Sequence, residues 1–418
     1  MINKSRQRLR FFESRKNQNH ISNADRFLYK KPEPRHRICV IGTGTMGQEH
    51  MRVSALLGRA QVIGIYDCQT LSMDVAAENF KEFSDHPLRF YSSLGLACSD
   101  PDVDAIFICT PNFTHREVLE VALESGKPIF LEKPMATTLK DAFDIVRWDL
   151  SYESFIQIGL QYRYKAQYSE AIFETLCRES IGDIKTIALS ESRPPFLDKV
   201  GQWNKFNMKS GGTLLEKCCH YFDLINLLAS SHPSRVYASG GRALNFCDFE
   251  YAGVKSDIDD HAFVIIEYAN GVRASFSLNM FSPNFSEELV LVGDGGRLVA
   301  VESFNMHKET ASEISMEIET GERQTSRQIE LGFPKAIETS GHHGSTYFEH
   351  IAFFDRLEGE KTGAATIDEG FWSIIVATAA QLSISRGEAV SIEEMLKKEG
   401  EGLHNWLSGQ KSMLVGAK

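Results

Sequence analysis

The chain has 418 residues, of which 42% are hydrophobic and 24% charged, as in ordinary globular proteins, and its length predicts two domains and allows a third. No apolar run approaches the roughly 20 residues that a membrane span needs. The eight cysteines form no C-x-x-C pair, and Cys39 and Cys109 lie within apolar, strand-like runs. The composition therefore favours a reduced, cytoplasmic protein over a disulfide framework.

The net charge of −11 is unevenly distributed. Residues 1–37 carry 11 Lys/Arg against 3 Asp/Glu, a charge of +8, which leaves −19 for the remaining residues. An acidic body argues against nucleic acid as a partner. Glu13 and Asp25 interrupt the basic stretch, and no apolar signal core follows it. We therefore interpret residues 1–36 as a flexible arm, free or laid on the acidic body or a neighbouring subunit, rather than as a transit peptide.

A nucleotide-binding motif follows the arm. Ile38 begins an apolar strand that runs into Gly42-Thr-Gly-Thr-Met-Gly47, and a second strand, Val62 to Tyr66, ends on Asp67. A strand, a G-x-G-x-x-G turn, a helix and a second strand with an acidic end form the dinucleotide-binding fingerprint. We expect Asp67 to accept hydrogen bonds from a ribose and to repel a 2′-phosphate. Because no arginine follows it directly, the motif favours NAD over NADP.

Each position of the glycine turn has a predicted role. Gly42 makes the tight turn, Gly44 lets the backbone approach a pyrophosphate, and Gly47 lets the helix pack on the strand. Thr45 and Met46 open the helix, where unpaired N–H groups and the positive dipole end face the diphosphate.

Helices and strands alternate from here to about residue 158. The predicted helices are at 48–57, 71–83 and 115–125, and the predicted strands at 90–91, 103–109 and 128–131. The nearly continuous apolar run at 103–109 is typical of a parallel strand that is buried on both faces. The alternation predicts an α/β fold with a doubly wound parallel sheet in a nucleotide-binding domain, residues 37–158.

The pattern changes after residue 158. A helix near 167–177 precedes strand-like stretches at 184–190, 236–240, 261–268, 272–278, 288–292 and 297–301. Asn270-Gly271, between two of these stretches, is a strong hairpin signal. Two closing helices are predicted at 347–357 and 370–385. Consecutive antiparallel strands with helices predict a second, α+β domain, residues 159–418.

Polar residues follow the strand that ends at Cys109. They are Thr110, Pro111, Asn112 and His115, and they lie at the carboxyl edge of the predicted sheet, where open α/β sheets bind their ligands. A plain Pro–Asn turn explains this stretch equally well. One strand later, Glu132-Lys133-Pro134 occupies the same edge.

Lys133 has two interpretations. A lysine at a strand end is normally a solvated surface charge. Partly desolvated beside a cationic nicotinamide ring, however, its pKa would be pushed down toward the proton-transfer range. Pro134 would fix the local backbone, and a cis bond is one way to do so.

A third stretch, Ser210 to Asp223, begins with Gly-Gly and carries three ionisable groups in helical register. Glu216, His220 and Asp223 fall at i, i+4 and i+7 and would share a helix face, where a carboxylate can orient the imidazole and stabilise its protonated form. Two plainer interpretations stay open: Thr213-x-x-Glu216 fits a capping box, and Asp223 can tie the helix to a neighbour.

Zinc is a further, weaker alternative. Cys218 and Cys219 are adjacent, and a His342-His343 pair lies further along the chain. Adjacent cysteines point to different faces of a helix, so the sequence favours no metal.

Together these residues resemble the Gfo/Idh/MocA oxidoreductase family, from about Arg37 to the C-terminus. The resemblance rests on the glycine motif, on Asp100 to Asn112, on Glu132-Lys-Pro134, on the Gly-Gly…His-x-x-Asp stretch and on Gly341-His-His-Gly344. It implies NAD as cofactor, bound also by Thr110, Pro111, Asn112, His115 and Glu132. It further implies a second domain with an open, mainly antiparallel sheet that serves as a dimer or tetramer interface.

The resemblance also assigns the site residues. It places the catalytic lysine at Lys133 and the catalytic histidine at His220, while Glu216 stands where inositol dehydrogenases usually have an aspartate. That departure lengthens the side chain and changes the shape of the substrate site. The substrate-binding residues that it implies are Arg163, Arg193, Trp203, Glu216, Asp223 and His343.

The sequence therefore predicts an NAD-dependent dehydrogenase that acts on a secondary hydroxyl of a cyclic polyol or sugar, with inositol as the leading candidate. No membrane or nucleic-acid partner is expected. Two alternatives use the same fold: cleavage of glycosides by oxidation and elimination on tightly held NAD, and a sugar or nucleotide sensor without catalysis. Retention of both Lys133 and His220 argues against the sensor.

Overall fold

The computed structural model describes residues 33–304, 312–321 and 325–416. The prediction of a flexible basic arm at 1–36 falls almost entirely outside these residues. Within the described residues, no helix combines the length and apolarity that crossing a membrane requires.

The first layer is a six-stranded parallel sheet in the order β3-β2-β1-β4-β5-β6. Its strands are β1 His36–Ile41, β2 Ala60–Tyr66, β3 Arg89–Phe90, β4 Ala105–Ile108, β5 Ile129–Glu132 and β6 Ile156–Gly159. Every residue of the central strands β4 and β5 is buried, as expected for a covered parallel sheet, and so is every residue of the edge strand β6. The predicted doubly wound parallel sheet is confirmed.

Five helices connect these strands: α1 Thr45–Leu57, α2 Thr70–Phe80, α3 Leu94–Ser99, α4 His115–Leu123 and α5 Leu139–Asp149. Helix α1 begins three residues earlier than predicted, inside the glycine motif, with Gly44 as its N-cap. It ends where Gly58 adopts a left-handed conformation, with φ of 72°.

The second layer is a nine-stranded mixed sheet in the order β16-β15-β14-β13-β7-β12-β11-β8-β17. Its strands are β7 Ile184–Ser192, β8 Pro233–Gly241, β11 His261–Tyr268, β12 Arg273–Asn279, β13 Phe285–Gly293, β14 Gly296–Phe304, β15 Glu313–Thr320, β16 Thr325–Leu331 and β17 Val390–Ser391, while β9 Glu250–Tyr251 and β10 Val254–Lys255 form a separate hairpin. Only the β7–β12 pair is parallel. The predicted α+β character and mainly antiparallel sheet are confirmed, and β15 and β16 are additions to the prediction.

One face of this sheet is packed and the other is open. Along β11, Ala262, Val264 and Ile266 are buried, whereas Phe263 and Ile265 are 65% and 50% exposed. Such alternation is typical of a sheet that covers a core on one side only. The Asn270-Gly271 turn joins β11 to its antiparallel neighbour β12, as predicted.

The remaining helices lie in the chain after β6. They are α6 Ala166–Ile172 with a π-helical extension Phe173–Cys177, α7 Asn207–Ser210, α8 Thr213–Glu216, α9 Cys219–Ala229, α10 Lys335–Glu338, α11 Ser345–Leu357, α12 Ile367–Arg386, α13 Ile392–Glu399 and α14 Glu401–Gly416, with 3-10 turns at Asn112–Thr114, Gln161–Tyr164, Val200–Lys205 and His342–Gly344. The prediction that Glu216, His220 and Asp223 lie on one helix is therefore wrong, because α8 and α9 are separate helices.

Candidate active site

The glycine turn is shaped by close backbone contacts. Gly42 has φ of 88°, and a Cβ on Gly47 would lie 2.0 Å from the Gly42 carbonyl oxygen. Gly44 differs, because a Cβ there would meet no atom within 4 Å. No side chain caps the start of α1, so its first N–H groups face this open space. The geometry fits a nucleotide diphosphate.

Asp67 lies beside this turn. Its Oδ2 accepts a hydrogen bond from the backbone N–H of Thr43 at 2.8 Å, and its Oδ1 accepts one from the N–H of Gln69 at 2.9 Å. The carboxylate is therefore fixed at the end of β2, at the position where the fingerprint places the ribose.

The segment after β4 bridges the two domains. Asn112 is buried, and its Nδ2 donates to the Ser210 carbonyl at 3.1 Å and to the Glu216 carboxylate. His115 is also buried, and its ring nitrogens lie 2.8 Å from the carbonyls of Pro134 and Thr110. Burial lowers the pKa of His115. Because its ring spans two backbone carbonyls, His115 joins the carboxyl ends of β4 and β5 and has no free nitrogen for a cofactor.

Lys133 reaches from β5 to the second domain. Its peptide bond to Pro134 is cis, and its Nζ donates to the Glu216 carbonyl at 3.0 Å and lies 4.0 Å from Glu216 Oε2. The side chain is 14% exposed. Burial lowers the pKa of Lys133, but the charges of Glu216 and other neighbouring groups outweigh burial and raise the pKa above its ordinary value. The downward shift was predicted for a lysine beside a cationic nicotinamide ring and stays a prediction, but the sequence did not reveal how close Glu216 lies, whose charge opposes that shift.

His220 is buried at the start of α9, with 2% exposure. Its ring stacks on Tyr162, with centroids 4.1 Å apart and planes 10° apart, and its Nδ1 has no hydrogen-bond partner. Burial, together with the charges of Lys133 and Lys217, holds the pKa of His220 well below its ordinary value. The expected stabilisation of the protonated form is wrong: the imidazole is neutral at neutral pH.

The predicted face shared by Glu216, His220 and Asp223 is not formed. Glu216 ends α8 and accepts from Asn112, whereas His220 lies within α9. The capping-box alternative is also wrong, because the Thr213 hydroxyl donates to the Asp259 carbonyl at 2.5 Å and no side chain caps α8.

Asp223 and Arg163 are paired with each other. Arg163 Nε and Nη2 donate to the two Asp223 oxygens at 2.7 and 2.6 Å, and Nη2 also lies 3.0 Å from Glu369 Oε1. Both members are buried. The plainer interpretation of Asp223, a tie between α9 and a neighbouring element, fits this bidentate pair, and we leave both residues out of the proposed substrate site.

The other predicted pocket residues are spread more widely. His343 contacts the Glu302 carboxylate and lies 2.9 Å from Ser312 Oγ, which commits its Nδ1. Arg193 is half-buried after β7, with Nη1 3.6 Å from Glu191 Oε1, and its charge acts on Lys133. Trp203 is half-buried in the 3-10 turn Val200–Lys205.

Glu132, predicted to bind the cofactor, has both oxygens occupied. Oε1 lies 2.8 Å from His50 Nε2, and Oε2 accepts from the backbone N–H of Lys133 at 3.0 Å. The carboxylate is buried, so it supports the lysine backbone instead of facing a ligand.

Three residues near these groups were missed from the sequence. Tyr162 stacks on His220, Lys217 donates to the Tyr162 hydroxyl at 2.5 Å, and His50 holds Glu132. Tyr162 stands in the Gln161-Tyr-Arg-Tyr164 stretch, where an aromatic residue next to a predicted pocket arginine was a usable signal. No local pattern marks Lys217 or His50.

Among the residues that the structure describes, no group of three or more His, Cys, Asp or Glu side chains is arranged to hold a metal ion. Cys218 and Cys219 are both buried, and their burial raises the pKa of each thiol. The zinc alternative therefore has no cluster to support it in this part of the chain.

Comparison with known proteins gives two family matches. Residues 36–157 match the model for the NAD-binding Rossmann fold of the Gfo/Idh/MocA oxidoreductase family, and residues 174–392 match the model for its C-terminal alpha/beta domain. The matched residues make up well over half of the chain.

Individual relatives have low sequence identity to this chain but match it over most of its length. An uncharacterised oxidoreductase of Bacillus subtilis (strain 168) is 24% identical over 366 residues, 86% of this chain and 97% of the relative. A myo-inositol 2-dehydrogenase of Thermotoga maritima is 22% identical over 366 residues, 86% of this chain and 99% of the relative. Among solved structures, levoglucosan dehydrogenase in complex with NADH and levoglucosan superposes with a TM-score of 0.71 at 19% identity, covering 85% of this chain and 99% of that one. At this identity the structural likeness shows the fold.

Proposed function

Because the chain belongs to the Gfo/Idh/MocA family of oxidoreductases and contains its NAD-binding domain, we propose that it is an NAD-dependent dehydrogenase acting on a secondary hydroxyl of a cyclic polyol or sugar. Inositol is the leading candidate, since a curated relative at low identity is named myo-inositol 2-dehydrogenase. Bound NAD would supply the hydride acceptor, and the chain supplies position and proton handling.

One observation carries this proposal. Lys133, at the carboxyl end of β5, contacts the Glu216 carbonyl, four residues before His220 in the second domain. Lys133 and His220 also interact electrostatically, since the charge of Lys133 helps to lower the pKa of the imidazole. A half-buried ammonium and a buried neutral imidazole from two domains, beside the sheet edge that binds dinucleotides, suit proton transfer from a hydroxyl.

We assign His220 as the general base. A base must be unprotonated before it takes the hydroxyl proton, and burial keeps His220 in that state at neutral pH. Its Nδ1 is free of protein partners, while stacking on Tyr162 holds the ring plane. The stacking contact therefore orients the ring without using a ring nitrogen, and Nδ1 has no protein partner that would compete with the substrate.

Lys133 is assigned to the same substrate oxygen. Its raised pKa keeps the ammonium charged, so it donates a hydrogen bond and stabilises the negative charge that develops as the proton leaves. Glu216 holds Lys133 from the other side and, through Asn112, ties the segment after β4 to the second domain. We propose that Glu216 also binds a neighbouring substrate hydroxyl.

The open sheet face supports a homodimer or homotetramer. Ile265 and Tyr237 are cross-strand partners on β11 and β8 and are 50% and 44% exposed, and Phe263 beside them is 65% exposed. Contiguous exposed apolar side chains of this kind mark association surfaces. Phe263→Lys should shift the protein toward monomer in sedimentation velocity, and an unchanged sedimentation coefficient would argue against this interface.

The activity is tested by following NADH absorbance while the purified protein is screened against inositols, aldoses, sugar acids and glycosides. Steady NADH formation with a polyol or sugar supports the dehydrogenase. Release of an aglycone without net NADH would instead identify oxidation followed by elimination. NAD binding without turnover of any substrate would identify a sensor and overturn the proposal.

A further inference from the structure

A buried hydrogen-bond chain links helix α1, strand β5 and helix α11, outside the groups assigned to chemistry. His50 Nε2 lies 2.8 Å from Glu132 Oε1, and His50 Nδ1 lies 2.7 Å from Nε2 of His350 in α11. The His50 and His350 side chains are fully buried. The other Glu132 oxygen accepts from the backbone N–H of Lys133, so the chain ends on the proposed catalytic residue.

The direction of each bond follows from the chemistry of its groups. Burial raises the pKa of Glu132, but the bond from His50 and the nearby positive charges outweigh burial and lower it below its ordinary value. An ionised carboxylate only accepts, so His50 must carry a proton on Nε2. His50 Nδ1 accepts from His350 Nε2 when His50 is neutral and donates to it when His50 is protonated.

Two proton arrangements satisfy the whole chain, and both place a proton on His50 Nε2. Burial holds the pKa of His350 well below its ordinary value, so its ring is neutral, and its Nδ1 lies 3.4 Å from the Ser54 hydroxyl oxygen, which both donates and accepts. The proton positions are inferred from the network, since these arrangements leave no donor facing a donor.

Helix α11 and the turn before it also hold the residue next to His50. The Glu49 carboxylate accepts from the Thr346 hydroxyl at 2.6 Å, and its Oε1 lies 2.7 Å from His342 Nδ1. His342 belongs to the Gly341-His-His-Gly344 motif, whose role the proposed chemistry leaves open. Two successive residues of the cofactor-binding helix are thus fixed by one segment of the second domain.

We infer that His50 and His350 are positioning residues that hold Glu132 and, through it, the backbone from which Lys133 reaches the substrate. The inference rests on the proposed function, because Lys133 has its role there. The surroundings give the reason: the Phe130 and Phe107 rings lie 4.9 and 5.7 Å from the His50 ring, so Glu132 would lose its side-chain donor in apolar surroundings if His50 were removed. With the Lys133 N–H as its remaining donor, the carboxylate would move, and Lys133 would move with it.

Two substitutions at position 50 separate positioning from packing. His50→Leu fills the space but removes both bonds, and it should lower kcat roughly 10–100-fold, as is usual when a supporting residue is lost. His50→Gln keeps one donor for Glu132 and one acceptor for His350, and it should retain most of the activity. The Kd for NAD should stay unchanged in both variants, since position 50 does not face the diphosphate.

His232→Leu is the matched control. It removes a half-buried histidine that lies outside the chain of bonds and stacks on Trp372 with centroids 4.4 Å apart, and it should leave kcat unchanged. Full kcat in His50→Leu, or equal loss in His50→Leu and His50→Gln, would overturn the inference.

A second measurement needs no substrate. Nitrogen-15 NMR of the unmodified protein should show His50 protonated on Nε2, with the His50 signals identified by their loss in His50→Gln. A His50 ring without a proton on Nε2 would overturn the inference whatever the kinetics. Absence of hydride transfer in the unmodified protein would overturn the proposed function instead, so the two failures are distinguishable.

Discussion

The glycine turn and the cluster around Lys133 are both parts of the proposed active site, but they are built in opposite ways. The turn is made by backbone within one short stretch, and what matters is the absence of side chains at Gly42, Gly44 and Gly47. The cluster is made by side chains distant in sequence, with Lys133 and Glu216 separated by 83 positions. Binding of the cofactor thus depends on local backbone conformation. The proposed chemistry depends instead on the pairing of Lys133 in one domain with Glu216 in the other.

The largest effects are expected in the cluster. Lys133→Met and His220→Ala should each lower kcat by roughly 10²–10⁴-fold, since each group is assigned to proton transfer or to charge developing in the transition state. The Kd for NAD should change little, because neither residue contacts the diphosphate or ribose positions. The comparison is made by steady-state kinetics and NAD titration on folded protein.

Lys140→Met serves as control for the lysine, since Lys140 is exposed in α5. Near-normal turnover in both cluster variants would show that the proposed mechanism is wrong.

Substitutions in the glycine turn should affect binding or folding according to position. The Cβ of Gly47→Ala would meet the Gly42 carbonyl oxygen at 2.0 Å, so this variant should lose about 1–3 kcal/mol of unfolding free energy even without NAD. The Cβ of Gly44→Ala meets no protein atom within 4 Å, so its stability should be normal. Its Kd for NAD should rise by about tenfold or more, equal to about 1.4 kcal/mol, because the methyl group occupies the space assigned to the diphosphate.

Thermal unfolding and calorimetric titration of the two variants test this contrast. If Gly44→Ala and the unmodified protein have the same Kd for NAD, the diphosphate does not occupy the space beside Gly44.

A smaller effect is expected at the ribose position. The unmodified protein should prefer NAD to NADP, and Asp67→Ala should narrow that preference by removing the negative charge that repels a 2′-phosphate. The ratio of kcat/KM values for the two cofactors measures it. Because Asp67 also accepts from the Thr43 N–H, Asp67→Asn is the matched variant that keeps a side-chain acceptor. A preference of the unmodified protein for NADP would contradict the ribose assignment.

The smallest effect is expected from the basic arm. Deletion of residues 1–30 should leave kcat nearly unchanged, because the fingerprint strand begins after them and their composition cannot build a core. If the arm has a role, we expect it in oligomer stability, which sedimentation at decreasing protein concentration measures. A large fall in kcat with the oligomer intact would mean that the arm completes an active site.

The same contrast explains what the sequence could predict. The parallel sheet and the glycine turn follow from local apolar runs and glycine spacing, and the Asn270-Gly271 hairpin follows from turn chemistry. Strand β15 also alternates, with Ile314, Met316 and Ile318 buried, so a period-two search would have found it.

The side-chain network of the site was harder to predict from the sequence. Thr213 matches a capping box, yet its hydroxyl donates to the carbonyl of Asp259, 46 positions away. The sequence also did not reveal that packing brings Glu216 beside Lys133, where the carboxylate charge raises the pKa of the lysine. Local patterns carry no information on such partners, because tertiary packing selects them.

The central claim is that Lys133 and His220 act together on one substrate oxygen, and a double-mutant cycle tests it most directly. The rate of hydride transfer is measured in single turnovers for the unmodified protein, Lys133→Met, His220→Ala and the double variant. If both groups serve one transition state, the double variant should be within about tenfold of the slower single variant. Losses that multiply across the cycle would show that the two residues act independently and would contradict the account.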